Sequence, residues 1–280
     1  MHNPSLLHRV SFSVVLLLGI VFCCFSTASG QDINTLLMNS TFKISGSAEK
    51  GGTSTGTVFI LGKPLKEDPK KGSYILITAG HVLDEIIAED ATLEMRRKNS
   101  DGTFTADPIT LKIRRLGLPL YTKHPSADVA AMYVELPTDV AIDLLPTSFL
   151  ADDDRISALE VHPGDELLCL GFPLAIDFNA FPVIRSGLLA SYPLTPTRAV
   201  KSFYYNFHVF PGNSGGPVYF AFANRVFAGG THIGIEQGII GLVTQQLSSN
   251  LPGYQAAQLD IAVIVPSSFI LDTIALLPAK

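Results

Sequence analysis

The sequence is poor in cysteine and in charge, and it lacks tryptophan. Two of its three cysteines, Cys23 and Cys24, lie in the first 30 residues, so Cys169 has no partner for a disulfide in the rest of the chain. Charged residues make up 16% of the 280 residues and hydrophobic ones 47%. This composition excludes a disordered, collagen-like or coiled-coil protein and predicts a buried core that needs no disulfide.

The net charge of −5 also excludes some classes of partner. A negative chain is a poor match for nucleic acid or for an anionic membrane surface. We therefore expect a peptide, a protein or a small molecule as partner. No metal or cofactor is indicated, because Cys169 stands alone and the histidines lack the spacing of a zinc site.

The one long hydrophobic run lies near the N-terminus. Arg9 is followed by an apolar run over residues 10–25, and small residues then lead to Gly30. This pattern is typical of a secretory signal peptide cleaved before Gln31. Residues 1–30 are thus predicted to be a signal peptide, and the protein to be secreted or periplasmic. The run is short of the ~20 residues of a membrane span, and an uncleaved N-terminal anchor is the alternative.

The rest of the chain alternates short apolar runs with turns. Runs rich in Val, Ile, Leu and Tyr, which predict strands, occupy residues 57–61, 73–78, 129–134 and 166–171. Clusters of Gly, Pro, Asn and Asp separate the runs. The sequence therefore predicts an all-β sandwich or barrel protein.

Only two helices are expected, one directly after His81 and one over residues 269–277, which Pro278 ends. A charge-rich segment at residues 151–155 lies near the middle of the chain. We place a domain boundary there, which divides the chain into an N-terminal domain, residues 31–155, and a C-terminal domain, residues 156–280.

The sharpest local signal is the glycine-rich heptad of residues 211–217, Pro-Gly-Asn-Ser-Gly-Gly-Pro, with Ser214 at its centre. Glycines around a nucleophile let backbone N–H groups converge on one point, where they can stabilise an oxyanion. Taken alone, the heptad also fits an ordinary hairpin turn. Its interpretation therefore depends on whether the chain supplies a base and a carboxylate.

Both groups are present. His81 ends an apolar strand among small residues, whereas the other histidines after residue 30 fit turns or loops. Asp128 stands at the start of another apolar strand, where a carboxylate is costly without a partner. A serine hydroxyl needs a base that is oriented by a carboxylate. Ser214, His81 and Asp128 are thus the candidate nucleophile, base and orienting acid.

These residues carry a resemblance to the trypsin/chymotrypsin-like serine proteases, and most closely to secreted bacterial members without disulfides. The family's histidine motif is matched by Thr-Ala-Gly-His at residues 78–81, its aspartate motif by Asp-Val-Ala at 128–130, and its serine motif by residues 212–217. The order His, Asp, Ser is also that of the family. The resemblance extends over about residues 40 to 275.

The resemblance implies two six-stranded antiparallel Greek-key barrels with the active site between them, and a short C-terminal helix. It implies a secreted serine endopeptidase that forms an acyl-enzyme, with the N–H groups of Gly212 and Ser214 as oxyanion hole. Animal digestive members have Asp before the serine, where it pairs with a new N-terminus on activation. This chain has Asn213, so we expect no such activation step.

By the same resemblance, the specificity pocket has His208 at its floor and Thr244, Gln245 and Gln246 along its wall. A floor without a carboxylate predicts cleavage after small or medium neutral side chains. The long amides also leave a second hypothesis open, a protease-like binding or scaffold domain with an occluded cleft.

A secreted esterase is a third hypothesis, because residues 212–216 match Gly-x-Ser-x-Gly. That fold needs an acid and then a histidine after the serine. Only His232 follows Ser214, with no acid between them, so this hypothesis fails.

Overall fold

A computed structural model describes most of the chain after the predicted signal peptide, in residues 32–64, 72–137, 139–143, 145–228, 230–249 and 257–279. Residues 1–30 lie outside the described residues. Within the described ranges, no helix has the length and apolar character needed to cross a membrane.

Strands dominate the described part of the chain. In chain order they are β1 (Thr41–Ser47), β2 (Thr53–Pro64), β3 (Gly72–Thr78), β4 (Asp90–Lys98), β5 (Phe104–Lys112), β6 (Arg114–Arg115), β7 (Leu118–Pro119), β8 (Thr122–Lys123), β9 (Ala130–Val134), β10 (Leu145–Pro146), β11 (Glu166–Gly171), β12 (Val183–Leu189), β13 (Phe203–Asn206), β14 (Pro217–Ala223), β15 (Val226–Phe227), β16 (Gly230–Thr231), β17 (Ile235–Ser249) and β18 (Ala257–Pro266).

Helices in the described residues are short. The α-helices are α1 (Ile33–Ser40), α2 (Gly80–Glu85), α3 (Asp153–Ala158), α4 (Thr197–Val200) and α5 (Ser267–Ala275). Three 3₁₀ turns cover Glu49–Gly51, Thr147–Phe149 and Pro173–Ala175.

The strands form two main sheets. The first has eight strands in the order β5-β4-β1-β2-β3-β9-β8, with β10 paired in parallel to β2. The second is a closed barrel, β11-β12-β13-β18-β17-β14. The predicted all-β fold is confirmed, with a closed six-stranded barrel in the second half and a helix at the C-terminal end.

Both sheets have Greek-key order, in which three consecutive strands pair as neighbours and the fourth returns beside the first. In the first sheet β4 lies beside β1, and in the barrel β14 lies beside β11. The first sheet departs from the expected six strands. It stays open between β8 and β5 in the described residues, and the two-residue strands β8 and β10 add to it. Strands this short have no alternation that a sequence could reveal.

Two hydrophobic clusters fill the sheets. One lies mainly under the first sheet and includes Phe42, Phe59 and Leu76, while the other fills the barrel. The C-terminal helix α5 adds Phe269 and Ile270 to the first cluster. The end of the chain thus packs back against the first sheet. The described residues form one compact unit. The division into two domains at residue 155 stays a prediction.

Candidate active site

His81 and Asp128 are brought together by neighbouring strands. Thr78, the last residue of β3, is paired with Ala130, the first residue of β9. His81 follows in the first turn of α2, and Asp128 precedes β9 by two residues. The antiparallel pairing therefore places the two side chains at the same edge of the sheet.

Both carboxylate oxygens of Asp128 engage His81. Oδ2 lies 2.6 Å from the ring Nδ1 atom, and Oδ1 accepts a 2.9 Å hydrogen bond from the backbone N–H. Because an ionised carboxylate only accepts, Nδ1 carries a proton, and in the neutral ring Nε2 keeps its lone pair. The arrangement fixes the tautomer that can act as a base through Nε2.

The contact between His81 and Asp128 also shifts the pKa of each residue. Burial alone would lower the pKa of His81, but the hydrogen bond and charge of Asp128, with smaller effects of Glu85 and Asp84, outweigh it and raise the pKa above 6.5. Burial alone would raise the pKa of Asp128, but its bonds to His81 and the charge of that ring outweigh it and lower the pKa below 3.8. Each group stabilises the charged form of the other.

The loop that carries Ser214 connects β13 to β14 and depends on its glycines. Gly212 has a φ of +95°, and a Cβ atom there would lie 2.1 Å from the carbonyl oxygen of Phe172. Gly215 has a φ of +85°, and a Cβ atom there would lie 2.1 Å from Thr57 O and from Thr78 Oγ1. Neither position has room for a side chain, so a close approach of backbones explains the motif.

Thr57, which the sequence analysis missed, joins this loop to the strand that leads to His81. Its N–H donates to the carbonyl oxygen of Ser214 at 2.8 Å, and its Oγ1 donates to that of Gly212 at 2.6 Å. Its own carbonyl accepts a 2.7 Å bond from Thr78 Oγ1. Thr57 follows Thr53, Ser54 and Thr55 on the same strand, so the sequence does not single it out.

The hydroxyl of Ser214 is bonded to a backbone carbonyl rather than to the histidine. Its Oγ donates a 3.1 Å hydrogen bond to the carbonyl oxygen of Thr244 on β17. Across the described part of the chain, no hydrogen bond joins Ser214 to His81. The structure thus brings His81 and Asp128 into contact, while the hydroxyl of Ser214 is bonded to Thr244.

Two backbone N–H groups of the serine loop are free. Neither Gly212 N nor Ser214 N donates to any described residue, whereas Asn213 N, Gly215 N and Gly216 N all have acceptors. The Asn213 side chain is 1% exposed, and its Oδ1 accepts a 2.9 Å bond from Phe210 N. This internal bond holds the turn with a neutral amide.

The predicted pocket residues lie in different surroundings. Thr244 is buried and its Oγ1 donates to Val263 O, while the side chain of Gln245 is exposed. Gln246 spans two backbone segments, accepting a 3.1 Å bond from Val209 N and donating a 2.6 Å bond to Leu259 O.

His208 has an acidic neighbour that the sequence analysis missed. Its Nδ1 contacts the carboxylate of Asp260, and its ring packs on Phe210 with centroids 4.4 Å apart. Glu236, on β17, pairs with His232 at 3.1 Å.

A cleft of about 410 Å³ opens beside His81, lined by Ala48, Glu49, His81, Asp84, Glu85 and Ile87. The histidine is therefore accessible from this side. Among the described residues, no group of three or more His, Cys, Asp or Glu could hold a metal ion. Cys169 is buried, and burial raises the pKa of its thiol to about 12.

No protein-family model matches the chain. No curated protein matches it in sequence. Among solved structures, the chain is similar to the Rv3671c protease from M. tuberculosis in its active form, with 14% identity and a TM-score of 0.46 over 89% of this chain and 85% of that one.

Proposed function

We propose that this protein is a serine endopeptidase that uses Ser214, His81 and Asp128 through an acyl-enzyme intermediate. The observation that carries the proposal is the pair formed by His81 and Asp128, with Nε2 as the free ring nitrogen. Thr57 accepts a hydrogen bond from Thr78, on the strand that leads to His81, and donates to backbone carbonyls of the Ser214 loop. A base, its orienting acid and a hydroxyl on a glycine-rich loop are the components that acyl transfer needs.

In the proposed reaction, Ser214 Oγ attacks the carbonyl carbon of the peptide bond while His81 Nε2 takes its proton. Asp128 stabilises the resulting imidazolium. The N–H groups of Gly212 and Ser214 donate to the oxyanion. His81 then gives the proton to the leaving amine, which leaves an acyl group on Ser214. Water, activated by the same base, hydrolyses this ester and frees the serine.

Ser214 must turn toward His81 before it reacts. The rotation breaks its bond to the carbonyl of Thr244. A neutral hydrogen bond of this kind contributes only about 0.5–1.5 kcal/mol, so the bond to Thr244 is a modest barrier. A bond from the same hydroxyl to Nε2 replaces it in the reactive state.

We further propose that the enzyme needs no cleavage step to become active. In relatives with Asp before the serine, an ion pair to a new N-terminus orders this loop. Here the neutral amide of Asn213 accepts from Phe210 N within the loop itself. The turn is therefore held by a bond that is present in the uncleaved chain.

A cleavage profile on a peptide library tests the proposal. We expect hydrolysis by the wild-type protein and essentially none by Ser214→Ala. Ser186→Ala is a matched control, since Ser186 is an exposed serine on β12. Equal hydrolysis by the wild-type protein and Ser214→Ala would refute the assignment.

A binding or scaffold domain with an occluded cleft is the second candidate, and the side chain of Gln246 favours it. Both ends of its amide are bonded to backbone groups, at Val209 and Leu259. A side chain held in this way fills space that a substrate side chain needs. If occlusion is the native condition, the wild-type protein is inert and Gln246→Gly gains activity.

Export is part of the proposal, since residues 1–30 have the pattern of a signal peptide. Mass spectrometry of the protein from its native host tests this point. We expect the mature chain to begin at Gln31. A chain that retains Met1 and fractionates with membranes would support the uncleaved anchor instead.

A further inference from the structure

The peptide bond between Pro211 and Gly212 is held from outside its own loop. The backbone N–H of Leu174 donates a 2.7 Å hydrogen bond to the carbonyl oxygen of Pro211. A trans peptide is planar, so its C=O and N–H point in opposite directions. The bond from Leu174 therefore also fixes the direction of the Gly212 N–H.

The loop that supplies Leu174, residues 172–181, has a strained backbone. Leu174 and Ala175 have φ values of +53° and +60°, and Asn179 and Ala180 have +53° and +62°. Residues with a Cβ atom adopt this region only when their surroundings hold them there. The 172–181 loop thus needs anchors in the rest of the molecule.

Lys43 on β1 is one anchor. Its Nζ lies 2.9 Å from Asp177 Oδ2 and 3.4 Å from the carbonyl oxygen of Ala175, and its side chain is only 11% exposed. On the other side Nζ contacts Glu94 Oε2 of β4 at 3.0 Å. Asp177 in turn accepts a 2.9 Å bond from Ala180 N. A cation fixed to the first sheet therefore holds both halves of the loop.

Arg96 on β4 is a second anchor. It is fully buried, and its guanidinium lies between the rings of Phe42 and Phe181, 4.3 and 4.2 Å from their centroids. One nitrogen donates to the carbonyl oxygens of Thr41 and Ala180. This side chain joins the end of the 172–181 loop to the start of β1.

We propose that Lys43 is a positioning residue for the oxyanion hole: by holding Asp177 and the Ala175 carbonyl, it keeps Leu174 bonded to Pro211 and the Gly212 N–H directed at the substrate. Arg96 supports the same loop at Ala180. The inference rests on the proposed function and deepens it. Lys43 touches no reacting atom, so its effect reaches the reaction only through the loop.

The pattern of contacts supplies a matched pair of variants. Asp177 and Glu94 both contact Lys43 Nζ, but Asp177 belongs to the loop and Glu94 to β4. Asp177→Asn and Lys43→Met should lower kcat, with KM little changed, because they release the loop. Glu94→Gln should leave kcat near the wild-type value, and Lys43→Arg should restore most of it.

The expected loss of kcat follows from the misdirection of one oxyanion donor, the N–H group of Gly212. Removing one such donor lowers kcat about 10²–10³-fold, and a donor that is mobile rather than absent should lower it by about 10- to 100-fold. The double variant Lys43→Met/Asp177→Asn should lose less than the two single variants combined, because both remove the contact between Lys43 and Asp177.

Hydrogen exchange gives a readout that does not depend on catalysis. In Lys43→Met and Asp177→Asn, peptides covering residues 172–181 and 210–217 should exchange faster than in the wild-type protein and in Glu94→Gln. A merely structural role would lower the melting temperature of the variants but leave kcat of the folded protein unchanged.

Two results would overturn the proposal: a kcat for Lys43→Met equal to that of Glu94→Gln, or unchanged exchange over residues 210–217. If the wild-type protein hydrolyses no peptide, the proposed function fails separately. Hydrogen exchange then tests the role of Lys43 alone. Faster exchange over residues 210–217 in Lys43→Met supports the proposal that Lys43 holds this loop, and unchanged exchange overturns it.

Discussion

Thr78 donates a 2.7 Å hydrogen bond from Oγ1 to the carbonyl oxygen of Thr57, and this bond links the two halves of the candidate site. Thr78 is three residues before His81, and Thr57 binds the backbone of Ser214 and Gly212. The segment that leads to the base and the loop that carries the nucleophile are therefore both tied to the adjacent strands β3 and β2.

Substitution of each of the three candidate catalytic residues should lower kcat, by a factor that depends on the residue. Ser214→Ala or His81→Ala is expected to lower kcat by about 10⁶, because the residues act as a unit. Asp128→Asn should lower it by about 10⁴, since an amide favours the wrong imidazole tautomer. Initial rates on the best library peptide measure the effects. Near-wild-type turnover in either alanine variant would overturn the assignment.

The rate should rise with pH in a single transition above 6.5. His81 must lose its proton to act as a base, and Asp128 raises the pKa of that ring. Asp128→Asn removes the charge and should move the midpoint of its residual activity to lower pH. A pH profile of kcat/KM for both proteins measures the shift, and a midpoint that rises in the variant would contradict the assignment of this pair.

The same pair should stabilise the fold in a defined pH range. A raised histidine pKa contributes stability at pH values below 6.5, and this contribution is lost as the pH rises through the raised value. The difference in melting temperature between the wild-type protein and Asp128→Asn should therefore be larger at pH 6 than at pH 9.

Thr57→Val should weaken both stability and activity. The substitution keeps the shape but removes the donor to the Gly212 carbonyl, which leaves that oxygen unsatisfied. A loss of about 1–3 kcal/mol in the free energy of unfolding is expected. Thr41→Val is the matched control, since Thr41 Oγ1 is buried and has no hydrogen-bond partner among the described residues. Equal losses in urea unfolding for the two variants would contradict the role of Thr57.

Cleavage should favour small or medium neutral side chains on the acyl side of the cut bond. His208 supplies no carboxylate, and an unpaired ammonium is costly to bury. Gln246→Gly should widen the range of accepted side chains. The discrimination between substrates should change by ~1–3 kcal/mol for each misfitting side-chain group. Library profiles of both proteins measure this. Strong cleavage after Lys or Arg would instead indicate that Asp260, beside His208, serves as the pocket's acid.

The sequence predicted what depends on local pattern. Apolar runs marked β3, β9 and β11, and the motifs placed His81 at the end of the first of these strands and Asp128 at the start of the second. In the structure His81 lies just beyond β3, in the first turn of α2, and Asp128 lies two residues before β9. Their contact could be inferred because a carboxylate at the edge of an apolar strand needs a partner.

What the sequence missed depends on contacts between distant segments. Thr57, Lys43 and Arg96 lie in strands whose patterns do not distinguish them from neighbouring positions. Most of their partners are more than 50 residues away, as in the bonds of Thr57 to Gly212, of Arg96 to Thr41 and of Lys43 to Asp177. The hydrogen bond of Ser214 to Thr244 was also beyond prediction, because its acceptor is a backbone carbonyl on β17, 30 residues further along the chain.

The most direct test of the central claim is to treat the purified protein with a fluorophosphonate and to locate the adduct by mass spectrometry. Only a serine activated by a base reacts rapidly with this reagent. The account predicts a single adduct on Ser214 that is absent in Ser214→Ala, nearly absent in His81→Ala and unchanged in Ser186→Ala. No adduct on the wild-type protein, or an adduct on another residue, would contradict it.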